Sequence, residues 1–277
     1  IDTVEEYLES KDGELQSVSI RDNKAFEEFA YPFSKLATIK RGLTTGCNEM
    51  YINPDLLCED GGCFKPIISS PKSIDGYTTL NARLDRLFCP VEDAVSDEIS
   101  SYLDFWKNKI IQEQKPKTLY MKVNSSDKWY EIREICGEGI LFSYFVRNDM
   151  KFVMNETGVL ARDNFYVIKP KVDKWVLFAL LNNYYTYYQL ELSGKKYGAG
   201  LLKLQRYDIE GLFFPNYETI SDSDKNELMV LSHKLLESAD SAVIGEITKL
   251  ISKYSRISYK EITDRYVEIK SNRLEVK

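Results

Sequence analysis

The spacing of apolar residues along the chain predicts several helices. Between residues 97 and 114 the apolar positions recur every three or four residues. A second segment with this spacing follows Asp173, which can cap a helix, and extends to Tyr188. Near the end of the chain, apolar stripes within residues 228–235 and 244–251 suit two antiparallel helices joined by a turn.

Other segments have the composition of β-strands. They are short and rich in β-branched and aromatic residues, and glycine, proline and asparagine separate them. The predicted strands and connectors lie at residues 36–39, 50–52, 63–69, 86–89, 119–121, 140–146, 151–154, 164–168, 201–204 and 212–215. Because helices and strands do not alternate strictly, the sequence predicts an α+β fold: a mixed β-sheet domain with loops, followed by a C-terminal helical hairpin.

Charge is unevenly distributed along the chain. Residues 1–30 hold nine acidic and three basic residues and so account for the whole net charge of −6, whereas residues 31–277 hold 34 of each. An acidic balance argues against a nucleic-acid partner, but a neutral body can still carry a basic face. We predict an acidic lead-in at 1–30, a mixed α/β domain at 31–218 and a helical segment at 219–277.

Composition argues against a membrane protein and against a metal site. No apolar run reaches the roughly 18 residues that a membrane-spanning helix requires, and no signal peptide is recognisable, so we expect a soluble, cytoplasmic protein. The five cysteines are irregularly spaced, without a CxxC pair, and the single histidine lies far from them. Reduced thiols are therefore expected rather than a disulfide framework or a zinc site.

Motifs for catalysis and nucleotide binding are absent. The chain has no GxGxxG, GxxxxGK[ST], GxSxG or HExxH motif. Residues 194–200 superficially resemble a phosphate-binding loop, but the lysines lie between the glycines and no Ser or Thr follows. His233 lies off the apolar stripe of its predicted helix, which is typical of a solvated residue. The sequence predicts no catalytic residue in this chain.

Two glycine-bearing loops concentrate basic and polar residues. The first contains Lys40, Arg41, Thr44, Thr45 and Asn48, and the second contains Lys195, Lys196, Tyr197 and Lys203. Arg and Lys neutralise phosphates or read guanine edges, and Asn can pair with adenine. Each loop could also be an ordinary solvated turn. The rings of Tyr184–Tyr188 could stack on bases, but on a helix they point in several directions, which favours core packing.

Several motifs resemble those of a known family. Residues 40–49, KRGLTTGCNE, resemble the RGxxTGxN loop of adenine-specific DNA methyltransferases from restriction–modification systems. Residues 180–183, LLNN, resemble that family's LLNS helix, and residues 194–204, GKKYGAGLLKL, resemble its gr.yGgGllKl segment. Shorter matches cover residues 65–70, 129–133, 147–155, 163–166, 213–215 and 239–251. The chain departs from the family at Asn183, where Ser is usual, at Lys195, where Arg is common, and at Thr248, where an acid is expected.

The resemblance implies a role and a set of contact residues. In that family these motifs form the target-recognition domain, here residues 31–218, which binds double-stranded DNA and chooses the sequence. A separate catalytic domain or subunit then transfers a methyl group from S-adenosylmethionine to the amino group of adenine, and its motifs are missing here. The residues expected to contact DNA are Arg41, Thr44, Thr45, Asn48, Lys65, Lys72, Arg147, Lys195, Lys196, Tyr197 and Lys203.

Two other functions remain open at this stage. The apolar stripes of the helices at 224–254 suit docking of a partner subunit, which would make the chain a protein-interaction module of a restriction–modification complex. The acidic balance also suits a self-contained enzyme whose site has no recognised motif.

Overall fold

The computed structural model describes residues 29–56, 63–90, 96–132 and 137–275. The predicted acidic lead-in lies outside these residues, apart from its last two. The ten α-helices of the described residues are α1 (Phe33–Leu36), α2 (Asn48–Tyr51), α3 (Asp97–Glu113), α4 (Lys117–Val123), α5 (Lys174–Leu181), α6 (Tyr184–Ser193), α7 (Arg206–Glu210), α8 (Asp222–Ser238), α9 (Ser241–Ile251) and α10 (Tyr259–Glu275).

The strands are short and belong to four small sheets. They are β1 (Tyr31–Pro32), β2 (Ala37–Arg41), β3 (Phe64–Ile68), β4 (Asp85–Phe88), β5 (Gly139–Ser143), β6 (Phe145–Val146), β7 (Phe152–Asn155), β8 (Leu160–Ala161), β9 (Phe165–Pro170), β10 (Lys195–Tyr197), β11 (Leu201–Lys203) and β12 (Phe213–Phe214). The sheet orders are β1-β12, β10-β11-β6, β2-β9-β5-β7 and β4-β3-β8. With its helices, its small and mostly antiparallel sheets and its helical C-terminal part, the structure confirms the predicted α+β class.

The chain folds into two compact units that alternate along the sequence. Unit 1 comprises the described parts of Ile1–Lys40, Gly139–Met154 and Ile168–Lys277, and unit 2 comprises those of Arg41–Glu138 and Asn155–Val167. The predicted boundaries after residues 30 and 218 follow composition rather than these contacts, and they remain a prediction.

Unit 1 contains most residues of the sheet β2-β9-β5-β7. Consecutive residues of β5, from Ile140 to Phe142, are at most 1% exposed, so both faces of that strand are covered. The residues of α5 from Val176 to Leu181 are buried on every side, with α8 packed against α5 and α10 against α6. The predicted C-terminal helical hairpin is confirmed as α8 and α9, and α10 is a third helix that the apolar spacing had not indicated.

Two adjacent asparagines interrupt the single helix predicted from Asp173 to Tyr188. The buried Asn182 amide accepts a hydrogen bond from the Phe152 N–H (3.1 Å) and donates one to the Phe152 carbonyl (3.0 Å). These two hydrogen bonds satisfy the backbone N–H and carbonyl of Phe152 at the outer edge of β7, as pairing with another strand would. Asn183 then caps α6 through its side-chain oxygen, so the departure from the family's Ser preserves an N-cap residue.

Unit 2 has its own core between a three-stranded sheet and two helices. Strand β3 pairs antiparallel with β4 and parallel with β8. The buried residues of this core include Tyr51, Ile67, Phe88, Trp106, Leu119 and Trp129. Trp129 is therefore a core residue of unit 2.

Two predicted strands are wrong. Residues 119–121 belong to helix α4, which buries Leu119 and Val123 one turn apart in the core of unit 2. Met50 and Tyr51 lie in the short helix α2, and only Ile52 forms a strand-like bridge, with Leu87. None of the helices in the described ranges combines the length and hydrophobicity that a bilayer crossing demands.

Candidate nucleic-acid interface

In unit 1, the second predicted contact loop is a β-hairpin. Strands β10 and β11 pair antiparallel with Lys195 opposite Lys203 and Tyr197 opposite Leu201, and β11 pairs with β6 so that Lys203 lies opposite Phe145. Side chains directly opposite each other in a sheet point to the same face. Lys195, Lys203 and Phe145 therefore form a row across three strands, with Tyr197 beside it.

The two faces of this small sheet have opposite characters. On one, Leu202 and Val146 are buried against the body of unit 1. On the other, Phe145 is 42% exposed and Tyr197 is 41% exposed, large values for aromatic rings. We call the residues Lys195, Tyr197, Lys203 and Phe145 the basic hairpin face.

The lysines of the basic hairpin face lack carboxylate partners. Among the described residues, none forms an ion pair with Lys195, Lys196 or Lys203. The ammonium groups instead lie over neighbouring rings, Lys195 over Tyr197 at 5.5 Å and Lys203 over Phe145 at 5.8 Å from the ring centroid. Like charges directly opposite on a sheet repel each other. An anion bound at this face would relieve that repulsion.

The tip of the hairpin exposes its backbone. Ala199 and Gly200 have φ values of 57° and 67°, in the left-handed region. A Cβ added to Gly198 would meet nothing within 4 Å. The backbone at Gly198 is therefore accessible to a close-fitting ligand, whereas Gly200 is buried.

Arg147 lies just after β6, and its side chain is exposed. Its carbonyl oxygen accepts a hydrogen bond from the guanidinium of Arg273 at 2.7 Å. The same guanidinium donates to the carbonyl of Gly200, in the hairpin tip. The structure therefore links the loop that carries Arg147 to the second predicted contact loop.

In unit 2, the first predicted contact loop runs from the end of β2 into α2. Gly42 lies so close to a neighbouring strand end that a Cβ would be 2.2 Å from the Arg162 carbonyl oxygen. Arg41 donates from Nε to the Asp163 carbonyl at 2.8 Å, and its Nη2 lies 3.4 Å from the Asp163 carboxylate. The Arg41 side chain is still 57% exposed. Its position is thus held by residue 163 while much of the guanidinium faces solvent.

The polar residues of this loop divide into exposed and buried positions. Thr44 and Asn48 are exposed, whereas Thr45 is 7% exposed and donates its hydroxyl hydrogen to Asn48 Oδ1 at 2.9 Å. Thr45 therefore orients Asn48 and does not face solvent itself. The Asn48 amide nitrogen has no hydrogen-bond acceptor among the described residues and is a donor available to a ligand.

Three of the resembling motifs meet in unit 2. Arg162 N–H donates to the Ile68 carbonyl at 2.9 Å, and the Asn164 side chain donates to the Ser69 carbonyl at 2.8 Å. Together with the contact between Arg41 and Asp163, these bonds join residues 40–49, 65–70 and 163–166. These three motifs are far apart in sequence, and hydrogen bonds join them in unit 2.

Lys65 and Lys72 are exposed and belong to the same unit. Lys65 lies on β3, and Lys72 lies in a short 3-10 turn after it. Sequence reasoning missed Arg83, which is exposed and whose N–H bonds to the Ser73 carbonyl at 2.9 Å, next to Lys72 in sequence. It also missed Phe145. Strand alternation could have indicated Phe145, but only once its pairing with β11 was known.

Other candidates have structural roles. Tyr185, Tyr187 and Tyr188 are at most 5% exposed, which confirms core packing for most of the tyrosine run. His233 is exposed and lies over the Trp175 ring at 4.0 Å, as expected for a surface residue. The glycines of residues 194–200 shape a hairpin, and a Cβ at Gly194 would lie 2.7 Å from the Leu202 side chain and 2.8 Å from the Leu204 side chain.

The cysteines differ from the expectation at one position. Cys47 and Cys89 are free thiols, as expected, but Cys63, which is buried, belongs to a disulfide. Within the described ranges, no cluster of three or more His, Cys, Asp or Glu residues could hold a metal ion.

Known proteins share the pattern and the fold. The family described as Type II methyltransferase M.Eco57I, C-terminal domain, matches residues 16–252. A solved structure of the type IIG restriction endonuclease BpuSI superposes with a TM-score of 0.60 at 14% identity, over 94% of this chain and 33% of that one, so the chain spans about a third of that protein's length. No curated protein sequence matches the chain. Because the family match covers most of the sequence, the chain belongs to the family of type II methyltransferase C-terminal domains.

Proposed function

We propose that this chain binds double-stranded DNA and supplies sequence recognition for adenine methylation in a restriction–modification system. The observation that carries the proposal is the basic hairpin face, where Lys195 and Lys203 lie directly opposite each other without carboxylate partners among the described residues. A polyanion is the ligand that such a face favours. Family membership supports the same partner.

The two units suit different parts of recognition. The lysines of the basic hairpin face are suited to phosphates, because flexible ammonium groups act as point charges with little base preference. In unit 2, Arg41 has the planar guanidinium that can read a guanine edge, and Asn48 has the side-chain amide that can read an adenine edge. Their fixation by Asp163 and Thr45 favours base reading, which requires defined side-chain geometry.

The chemistry of methyl transfer is proposed to lie outside this chain. A methyltransferase must take its target base out of the duplex, and it needs a second element that holds the DNA and chooses the site. This chain would be that second element. The catalytic domain or subunit that binds S-adenosylmethionine would be its partner. The proposed product, a methylated adenine amino group, rests on the resemblance of the loop at residues 40–49.

The first test is duplex binding across a salt series. The native chain and Lys195→Ala/Lys203→Ala are titrated with a mixed-sequence duplex, with Lys260→Ala as the control because Lys260 is 86% exposed and paired with Asp264 on α10. Loss of two phosphate contacts should lower the magnitude of the slope of log K against log salt by about 1.8. A native chain that binds no duplex at low salt, or a double variant that keeps the native slope, would contradict the proposal.

Base reading and product identity need separate measurements. Arg41→Ala should lower the preference for the cognate sequence by about 1–3 kcal/mol while random duplexes bind nearly as before. In the intact enzyme, nucleoside analysis of DNA methylated with labelled S-adenosylmethionine would identify the base. Label on cytosine would overturn the adenine assignment without affecting the DNA-binding proposal.

The structure removes the observation that favoured a partner-docking role. The apolar residues of α8 and α9 that suggested docking, among them Leu228, Leu235, Ile244 and Ile247, are at most 3% exposed. They pack inside unit 1. The stripes are explained by the fold, and no described feature of α8 or α9 requires a partner.

A further inference from the structure

Arg273 is a fully buried arginine near the end of α10. Its guanidinium donates to both carboxylate oxygens of Glu191 on α6, from Nε at 2.7 Å and from Nη2 at 2.9 Å, and both side chains are 0% exposed. Nη1 donates to the carbonyl of Arg147 at 2.7 Å and to the carbonyl of Gly200. Glu191 supplies the opposite charge that a buried arginine requires. The two hydrogen bonds from Nη1 to backbone carbonyls are not needed to compensate the charge.

Both carbonyls belong to loops of the candidate interface. Arg147 follows β6, and Gly200 closes the hairpin tip next to β11. A second contact holds the loop that carries Arg147, because Lys270 Nζ on α10 lies 2.6 Å from the carboxylate of Asp149 in that loop. At the tip, a Cβ on Gly200 would lie 3.0 Å from the Leu274 side chain, so α10 also packs closely there. The planar fork of arginine can hold three partners at fixed angles, which lysine cannot.

We infer that Arg273 is a positioning residue, which sets the conformation of the hairpin tip and the Arg147 loop for DNA binding. The inference rests on the proposed function. Helix α10 begins after residue 252, where the family match ends, so this support is supplied by a part of the chain outside the matched region. Without the two carbonyl bonds, the loops would have to become ordered when DNA binds, at a cost in affinity.

A purely structural role for the Arg273–Glu191 pair makes a different prediction. Removing one partner leaves a buried charge and destabilises the fold, but replacing both with apolar residues of similar size commonly restores stability. Arg273→Met/Glu191→Met should therefore avoid the penalty of an unpaired buried charge, and its melting temperature should fall only by the cost of the two carbonyls left without a donor. Stability and positioning are separated in this double variant.

The decisive experiment compares this double variant with the native chain in duplex binding across the salt series. We expect affinity to fall about tenfold, the effect of ordering a few side chains on binding, with an unchanged salt slope because every interface lysine remains. The control is Arg265→Met/Glu261→Met, which removes an exposed ion pair on the same helix and should bind normally. Native affinity in a stably folded double variant would overturn the inference.

A second measurement keeps the inference testable if the double variant does not fold. Arg273→Lys retains the charge beside Glu191 but not the planar fork, and hydrogen exchange should accelerate in residues 196–203 while α5 stays protected. Unchanged exchange in the hairpin would also overturn the inference. If neither the native chain nor Lys195→Ala/Lys203→Ala binds duplex, the proposed function itself fails. That result differs from native affinity in Arg273→Met/Glu191→Met, which would overturn only the inference about Arg273.

Discussion

At the scale of single residues, the glycines of the two predicted contact loops differ in what surrounds them. A Cβ at Gly42 would lie 2.2 Å from a backbone oxygen, whereas a Cβ at Gly198 has open space. We expect Gly42→Ala to cost about 1–3 kcal/mol of folding free energy, because the backbone must move. Gly198→Ala should stay within about 0.5 kcal/mol of the native chain. Thermal denaturation of both variants measures the difference, and equal melting temperatures would refute the close approach at Gly42.

The substitution Gly198→Ala also tests the hairpin tip as a contact. If the tip backbone approaches DNA closely, the added methyl group should weaken duplex binding severalfold while the melting temperature stays the same. The measurement is a titration at one low salt concentration, with Lys260→Ala as the reference for an unrelated surface change. Native affinity would place the tip away from the DNA.

The neighbouring residues Thr44 and Thr45 should differ in how much the same substitution changes stability. Thr45→Val removes the hydrogen bond to Asn48 and should cost about 0.5–1.5 kcal/mol of stability. Thr44→Val alters an exposed side chain and should leave stability unchanged, so that any effect appears in DNA binding. Chemical denaturation and duplex titration of both variants provide the comparison. A stability loss at Thr44 rather than Thr45 would contradict the burial pattern.

At the scale of elements, one carboxylate ties the start of α8 to the 3-10 turn (Ser252–Tyr254) that follows α9. Asp224 Oδ1 lies 2.7 Å from Lys253 Nζ, and its Oδ2 accepts a hydrogen bond from the Tyr254 hydroxyl. The hydrogen bonds from Lys253 and Tyr254 lower the pKa of Asp224 below its ordinary value of 3.8. A lowered folded-state pKa stabilises the fold fully above 3.8, and the stabilisation is lost as pH falls through the lower value.

The expected result is a pH-dependent difference between the native chain and Asp224→Asn. The native chain should be more stable at pH 7, and the gap should narrow as the pH falls below 3.8. Urea denaturation of both chains at several pH values below and above 3.8 would measure this difference in stability. A gap that widens in acid would contradict the assignment of the shift to Asp224.

Local patterns predicted most elements but not their interruptions. Helix α3 and strands β3, β4 and β9 follow from spacing and composition that burial then reinforces. Helix α4 was missed because Leu119–Met121 has strand-like residues, and only the distant core of unit 2 makes Leu119 and Val123 one buried stripe. The break at Asn182 was missed because its cause, the unpaired edge at Phe152, lies on another element.

The candidate site was predictable by residue type and not by geometry. The glycine-bearing loops and their lysines are visible in the sequence, whereas the placement of Lys195 opposite Lys203 depends on hairpin register. Phe145 and Arg273 reach the same small sheet from distant positions, through strand pairing and a buried guanidinium. Such contacts depend on tertiary packing, which a single sequence does not encode in any local pattern.

At the scale of the whole molecule, the negative net charge is opposite in sign to the basic hairpin face. Residues 1–28 contain nine acidic and three basic residues, so a chain that starts at residue 29 has a net charge of zero instead of −6. We expect this truncated chain to bind duplex DNA more tightly at low salt, and the advantage should vanish at high salt, where long-range repulsion is screened. Parallel salt titrations of both chains measure it. A truncated chain that binds more weakly at low salt would assign residues 1–28 a favourable role in binding.

The alternation of the two units along the chain restricts how the proposed recognition function could be exchanged between relatives by recombination. Unit 2 is encoded by two separate stretches, and β3 from the first pairs with β8 from the second. A recombination event that exchanged only residues 41–138 between relatives would give β3 a foreign neighbour. Exchange of a complete unit 2 requires the whole stretch from 41 to 167, which also carries β5, β6 and β7 of unit 1. If the proposed function is correct, new specificities should therefore arise more readily by point substitutions in loops than by exchange of a complete unit.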